Sequence, residues 1–315
     1  MQKQAIRQAA VKAAPFVFAA VVAGASFFYT SRLMENRKIA APKPIAAMVQ
    51  KDTAKHIPIH VRVPFGKTTL EKARSYLLSN GFEKGEVDTL LCDKRLEKLQ
   101  LFPKKTGEKR KPLTYGEYKK IFGPELLAKL GAKFYAAHKR FVDSVASRSS
   151  APKEMALSIL GIETIYGKET GKHRVVNVFL TYLEEGKRRD FALGELAAML
   201  RICKKYGADP LSVRGSHAGA ITPSQFIPTS IERFDAAAGC STFDELCSIE
   251  TSIKLVFAYL SASGASGGAG YGIGGANYTA AFAYNHSSFY ARLSVELAEM
   301  IQKKISAETT VAQSN

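Results

Sequence analysis

Glu163 is the only side chain carrying charge at neutral pH from Met155 through Gly167, in the run Met155-Ala-Leu-Ser-Ile-Leu-Gly-Ile-Glu-Thr-Ile-Tyr-Gly167. Met155, Ile159, Ile162 and Tyr166 share one face of a helix and Leu157 and Leu160 cover another, so the helix is apolar nearly all round and reads as buried. Gly167 stands where a glycine would cap its C-terminus. A carboxylate in the last turn of such a helix meets low dielectric and the negative end of the helix dipole. Both disfavour the ionised form and lift a glutamate from about 4.3 toward ~6. Such a group can donate a proton near neutrality and is a candidate general acid. The competing reading is a solvent-facing glutamate, or one paired with Lys168, Lys172 or Arg174 just beyond the turn.

Three further segments have the composition of site walls. Lys187-Arg188-Arg189 lies between two helices, where guanidinium forks hold acidic or carbonyl groups, although a solvated loop has the same composition. Gly215-Ser-His-Ala-Gly-Ala-Ile-Thr-Pro-Ser-Gln-Phe-Ile-Pro-Thr-Ser230 sets small residues around Gln225 and Phe226, an amide beside an aromatic ring that suits a sugar. Ala283-Tyr-Asn-His-Ser-Ser-Phe-Tyr290 concentrates hydrogen-bonding groups with aromatic bodies. Aromatics at helical spacing are usually core, yet Asn285, His286 and two serines each need a partner if buried.

The elements that would carry these residues are mostly helical. Helical spacing covers Thr69 to Asn80, Glu86 to Leu99, Tyr115 to Phe122, Pro124 to Val145, the Glu163 segment after Pro152, Phe191 to Tyr206, Asp244 to Ala262, and one or two helices from Tyr278 to Lys304. Strand signals are limited to Val61-Arg-Val63, and Pro103 to Pro112 is a basic loop. Gly264 to Gly275 matches a dinucleotide fingerprint formally, but it has no preceding strand and reads better as a mobile loop or lid. Four cysteines, Cys92, Cys203, Cys240 and Cys247, are too dispersed for a zinc knuckle; a Cys240–Cys247 disulfide and free thiols both remain open.

A net charge of +17 on 315 residues favours polyanionic partners: nucleic acid, anionic lipid or an acidic wall polymer. No basic helix interleaved with aromatics supports nucleic acid. Lys3, Arg7 and Lys12 precede an uncharged stretch of 19 residues, Ala13 to Ser31, which suits a membrane anchor or a secretory signal with an A-x-A site at Ala23-Gly24-Ala25. The anchored form is favoured, with the body outside the cytoplasmic membrane.

Ile159-Leu-Gly-Ile-Glu-Thr-Ile-Tyr-Gly167, Gly215-Ser-His-Ala-Gly-Ala with Gln225-Phe-Ile-Pro-Thr-Ser230, and Tyr284-Asn-His-Ser-Ser-Phe-Tyr290 resemble successive signature blocks of the membrane-bound lytic transglycosylase B family, in that family's order. The resemblance spans about Leu70 to Lys304. It implies a mainly α fold, a lysozyme-like α-rich catalytic domain with an associated N-terminal helical subdomain. The expected division is residues 1–33 as anchor or signal, 34–67 as an extended arm, 68–150 as the helical subdomain, 151–304 as the catalytic domain and 305–315 as a tail. The implied reaction cleaves the β-1,4 bond between N-acetylmuramic acid and N-acetylglucosamine in peptidoglycan glycan strands without water. Glu163 is then the single acid/base. Arg188 and Arg189 match a cleft arginine pair, and Ser216, Gln225, Tyr259, Tyr284, Asn285 and Tyr290 match sugar-subsite positions.

Ordinary glycosidases need two carboxylates, and no second acid has a setting comparable to that of Glu163: Glu169 and Asp190 sit in polar, basic surroundings. A hydrolytic muramidase and a non-catalytic wall-binding scaffold are the rival readings. Two departures from the family pattern stand out. Phe234-Asp-Ala-Ala-Ala-Gly-Cys240 offers one oxygen-bearing side chain where the family has a calcium loop, so neither metal nor other cofactor is expected. Ile221-Thr222-Pro223 stands where the family block has a glycine, which bears on local backbone geometry rather than on Gln225. Nothing in the residues identifies a protein partner.

Overall fold

Ala73 and Leu77 recur at four-residue spacing and give the first helix, α1 (Lys67–Ser79), a single buried stripe. The computed structural model describes residues 62–101 and 112–314, with side chains to 308; among them are twelve α-helices and one two-stranded ribbon. The proposed anchor, most of the arm and the basic loop 102–111 lie outside the described residues. No described helix is long and apolar enough to cross a membrane.

Helix α2 (Lys84–Leu91) packs on α1 through Val87, Leu90 and Leu91. It stops well short of the expected Leu99, because the Asp93 carboxylate accepts from the Arg95 amide (2.7 Å) and guanidinium and closes a turn. Helix α3 (Tyr115–Phe122) opens with a capping box between Thr114 and Glu117. Left-handed Gly123 then leads into α4 (Pro124–Ala146), with proline at its first position.

Helix α5 (Lys153–Thr164) is the hub, packed by α4, by α10 (Ile249–Ala262) and by α12 (Ser288–Ser314), and every residue from Met155 to Thr164 is buried. Helices α6 (Val175–Glu184), α7 (Arg189–Tyr206) and α8 (Pro228–Ala238) build the adjoining wall. A single turn, α9 (Phe243–Leu246), precedes α10, and Ser248 caps α10 by accepting from the Thr251 amide, which divides the one helix expected there. Helix α11 (Ala276–Tyr284) turns through Asn285 into α12, which runs to Ser314 rather than ending near Lys304. One apolar core from Phe65 to Ile301 unites early and late helices.

The ribbon lies at β1 (His173–Arg174), antiparallel to β2 (Arg214–Gly215), and not at Arg62–Val63. Its approach depends on Gly171, at φ +107, where a Cβ would stand 2.1 Å from the carbonyl carbon of Gly215. The four cysteines are free thiols.

The glycine-rich segment 264–275 is pinned by hydrogen bonds to Asn277 and Glu154. The buried Asn277 accepts from the Ser266 amide (3.0 Å) and donates to the carbonyls of Ser266 (3.0 Å) and Gly270 (2.7 Å). Tyr271 donates to Glu154 in the first turn of α5. Glu154 and Glu163 are roughly 13 Å apart along the axis at 1.5 Å per residue, so this loop braces the far end of the hub helix.

Candidate active site

The end of α5 is made by two non-glycine residues in the left-handed region, Ile165 (φ 52) and Tyr166 (φ 58). Gly167 follows at φ 87, so the cap is a β-branched residue and not the glycine expected. Each such residue costs about 1–3 kcal/mol and persists only where surroundings enforce it. Here Tyr166 donates to the Leu127 carbonyl (2.9 Å) and stacks on Phe134 at 5.1 Å. Gly131 and Gly161 leave the space, since a Cβ on either would lie 2.4 or 2.7 Å from the Tyr166 hydroxyl. Thr164 donates to the Pro223 carbonyl (2.8 Å) and accepts from the Gly167 amide (2.9 Å). The turn is locked on both sides, and Glu163 with it.

Glu163 is 8% exposed. Its Oε1 accepts from the Tyr290 hydroxyl at 2.7 Å, while Oε2 is buried with no hydrogen-bond partner among the described residues. Burial pushes the carboxyl up to about 7, against the opposing pull of Tyr290. At that value both protonation states are populated near neutrality, as a group that gives and then takes a proton requires.

Tyr290, Tyr284 and Tyr259 form a continuous array of rings. Tyr290 lies parallel to Tyr284 (6.5 Å, 8°), and Tyr284 meets Tyr259 edge-on (4.8 Å), with Phe226 5.7 Å from both. Tyr284 donates to the Ser224 carbonyl and Tyr259 to the Ala283 carbonyl (2.7 Å). Burial raises all three phenols, Tyr259 to about 12, so they remain neutral donors. Asn285 is buried beside Tyr284, and its Oδ1 has no hydrogen-bond partner among the described residues.

The segment after β2 supplies the facing wall. Ser216 Oγ accepts from the amides of Ala218 (3.3 Å) and Ala220 (3.1 Å), so its hydroxyl shapes the turn. Ile221 and Phe226 bridge a tight hairpin whose Thr222 (φ 64) and Gln225 (φ 54) are both left-handed. Thr222 thus holds, without glycine, the conformation a glycine adopts freely, helped by a 2.7 Å contact with the Ser224 hydroxyl. The Gln225 amide nitrogen donates to the carbonyls of Thr170 (3.1 Å) and Thr222 (3.2 Å), tying the hairpin to the strand approach.

Arg188 and Arg189 belong to a different group. Arg188 begins α7 from a left-handed position, with its guanidinium 3.8 Å over the Phe191 ring, and Arg189 is exposed. Beside them is Glu195, 2% exposed and pushed up to about 7 by burial. It is a second carboxyl in a setting comparable to that of Glu163, contrary to the sequence reading. Its apolar flanks, Leu193, Leu196 and Ala197, are the signal that marks it. Both its oxygens are occupied by Thr229, through the amide (2.9 Å) and the hydroxyl (2.5 Å).

Residues 66–239 match the model of the transglycosylase SLT domain. Over 105 residues the chain is 29% identical to membrane-bound lytic murein transglycosylase B of Escherichia coli, covering 33% of this chain and 29% of that protein's length. Among solved structures, the lytic transglycosylase SLT35 of E. coli in complex with calcium superposes with a TM-score of 0.66 at 18% identity, over 78% of this chain and 97% of the other. SltB1 of Pseudomonas aeruginosa gives 0.66 at 21% identity, over 76% and 98%. SltB3 of the same organism, in complex with NAG-anhNAM-pentapeptide, gives 0.64 at 21% identity, over 75% and 79%. These likenesses identify the fold as the lysozyme-like, α-rich fold of lytic transglycosylases. From Phe234 to Cys240 only Asp235 brings a side-chain oxygen, and Lys205 and Tyr206 engage that carboxylate. With more than half of its length matched by one family model, the chain belongs to the transglycosylase SLT domain family.

Proposed function

We propose that the protein is a peptidoglycan lytic transglycosylase that cleaves the N-acetylmuramic acid β-1,4 N-acetylglucosamine bond without water, leaving a 1,6-anhydromuramoyl end, with Glu163 as its single acid/base. The observation that carries this reading is the state of Glu163: buried, poised at about 7, held on one oxygen and unpartnered on the other.

The chemistry follows from that asymmetry. Tyr290 donates to Oε1, so the carboxyl hydrogen sits on Oε2, the oxygen left for substrate. That proton passes to the glycosidic oxygen as its bond to C1 breaks, and the bonding electrons leave with the N-acetylglucosamine oxygen. The new carboxylate keeps the Tyr290 hydrogen bond, which favours its charge. The muramoyl C6 hydroxyl then bonds to C1 and gives its proton to Glu163, restoring the acid. The N-acetyl group assists at the oxocarbenium-like centre. Glu195 is committed to Thr229, so it does not activate water as a second catalytic carboxylate.

In the same reading Ser216, Gln225, Tyr259, Tyr284, Asn285 and Tyr290 line the sugar subsites, and Arg188 and Arg189 meet the lactyl or peptide carboxylates. The glycan ligand of SltB3 supports a glycan strand as substrate. Residues 1–33 hold the body at the outer face of the cytoplasmic membrane, or release it if cleaved. Mass spectrometry of digested sacculi tests the chemistry: anhydro ends are expected, and reducing muramic acid ends would replace this reading with a hydrolase. An unchanged lysis rate in Glu163→Gln would leave a binding scaffold.

A further inference from the structure

Helix α7 turns Phe191 and Glu195 toward the segment 215–230. Phe191 packs on Ala220 and Ile227, the residues immediately before and after the hairpin Ile221–Phe226. One turn further on, Glu195 takes the Thr229 amide and hydroxyl. Thr229 lies in the first turn of α8, where backbone amides lack partners within the helix. The N-cap residue of α8 is Ile227, which offers no side-chain cap. The exit of the hairpin is therefore fixed by a carboxyl from another helix. A serine or aspartate at position 227 would cap the helix locally at far lower desolvation cost than a carboxyl 2% exposed.

What the buried carboxyl holds explains the arrangement. Thr222 and Gln225 are both left-handed non-glycine residues, a conformation that survives only while the flanks are held. The hairpin's carbonyls are the acceptors on which the walls around Glu163 hang. Pro223 accepts from Thr164, beside Glu163, and Ser224 accepts from Tyr284, stacked on Tyr290. A shift of the hairpin would reach the acid through both.

We infer that Glu195 is a positioning residue for the transglycosylase reaction: through Thr229 it holds the Gln225 hairpin in the strained form that orders Thr164, Tyr284 and Gln225 around the acid. As a statement about catalysis this rests on the function proposed above; as a statement about the hairpin it does not.

Two measurements on the full chain separate these. Hydrogen exchange of Glu195→Ala is expected to be about ten-fold faster at the Ile221 and Gln225 amides, with α5 unchanged. Glu195→Gln, which keeps an acceptor and a donor for Thr229, restores protection. Thr229→Val provides the same reading from the other partner should Glu195→Ala fail to fold. Unchanged hairpin exchange, or an equal rise along the whole chain, would overturn the inference. In sacculus digestion, Glu195→Ala is expected to lower kcat about a hundred-fold, the scale of a 1 Å misplacement. Part of that loss, the part carried by Gln225, should vanish in a Gln225→Ala background, whereas fully additive losses would also overturn it. Wild type without anhydro products would fail the proposed function while exchange still decides the role of Glu195.

Discussion

Tyr290→Phe removes one oxygen and keeps the ring on which Tyr284 stacks, so it isolates the hydrogen bond to Glu163. A hydrogen bond to an ionised acceptor is worth about 1.5–3 kcal/mol. If about 1.4 kcal/mol of it favours the carboxylate over the acid, its loss raises the Glu163 value by about one unit, from about 7 toward ~8. Glu163 acts first as an acid, so activity is lost as pH rises through its value, and the basic limb of kcat should move up by about one unit. The plateau should fall. The carboxylate developing in the transition state loses its donor, and about 2 kcal/mol corresponds to roughly thirty-fold. Release of soluble anhydromuropeptides from sacculi between about pH 5 and 9, with melting followed in parallel, reads both effects. A limb that stays in place, or moves toward acid, would refute the assignment of Tyr290 as the donor that favours ionised Glu163.

Glu163→Gln should stabilise the fold at alkaline pH. The folded carboxyl lies near 7 against an ordinary 4.5, so the native state binds the proton more tightly and stability falls as pH rises between those values. The variant should gain on the order of 3 kcal/mol at about pH 8 and nothing below about pH 4.5, and calorimetry giving equal melting at alkaline pH would exclude a buried charge. Thr164→Val leaves the Pro223 carbonyl and the Gly167 amide without their partner. Urea unfolding should show a loss of about 2–4 kcal/mol, and a change under about 1 kcal/mol would contradict the clamp. Gly161→Ala sets a methyl 2.7 Å from the Tyr166 hydroxyl. It should cost about 1–3 kcal/mol by overpacking, and a variant that melts like wild type would show that Tyr166 is not held as described.

Much of the site's foundation is visible in local sequence, because burial of Glu163 follows from an apolar run with one charge in it. Its turn is not. Gly167 is the residue propensity selects for a left-handed cap, but the chain places Ile165 and Tyr166 there, since the Tyr166 ring finds Phe134 and Leu127 on a helix that ends before α5 begins. Helical periodicity likewise does not mark α6, which is buried on all sides from Val175 to Leu183. The glycine run looks like a lid because glycine permits mobility, while its restraint comes from Asn277, just outside the run. The apolar flanks of Glu195 mark it for burial, but that both its oxygens are held is seen only with Thr229 against it. In each case the deciding partner is remote in sequence, and propensity carries no information about it.

The poise of Glu163 depends as much on donors kept away as on the one supplied. A carboxylate accepting two or three hydrogen bonds can fall far below its ordinary value, and an acid so lowered gives up its proton before substrate arrives. Three other hydroxyls of the site are drawn to backbone carbonyls: Tyr284 to Ser224, Tyr259 to Ala283, Thr164 to Pro223. With those hydroxyls engaged, Tyr290 is the single donor to Glu163 among the described residues, and its second oxygen has no hydrogen-bond partner there. Two of the three carbonyls belong to the hairpin that Glu195 fixes at its exit. Loosening the hairpin would therefore do more than misplace Gln225: it would free the Tyr284 hydroxyl, on the ring stacked against Tyr290, from the Ser224 carbonyl, and any donor gained by Oε2 would lower Glu163 toward an ordinary carboxylate, trading the acid for a base.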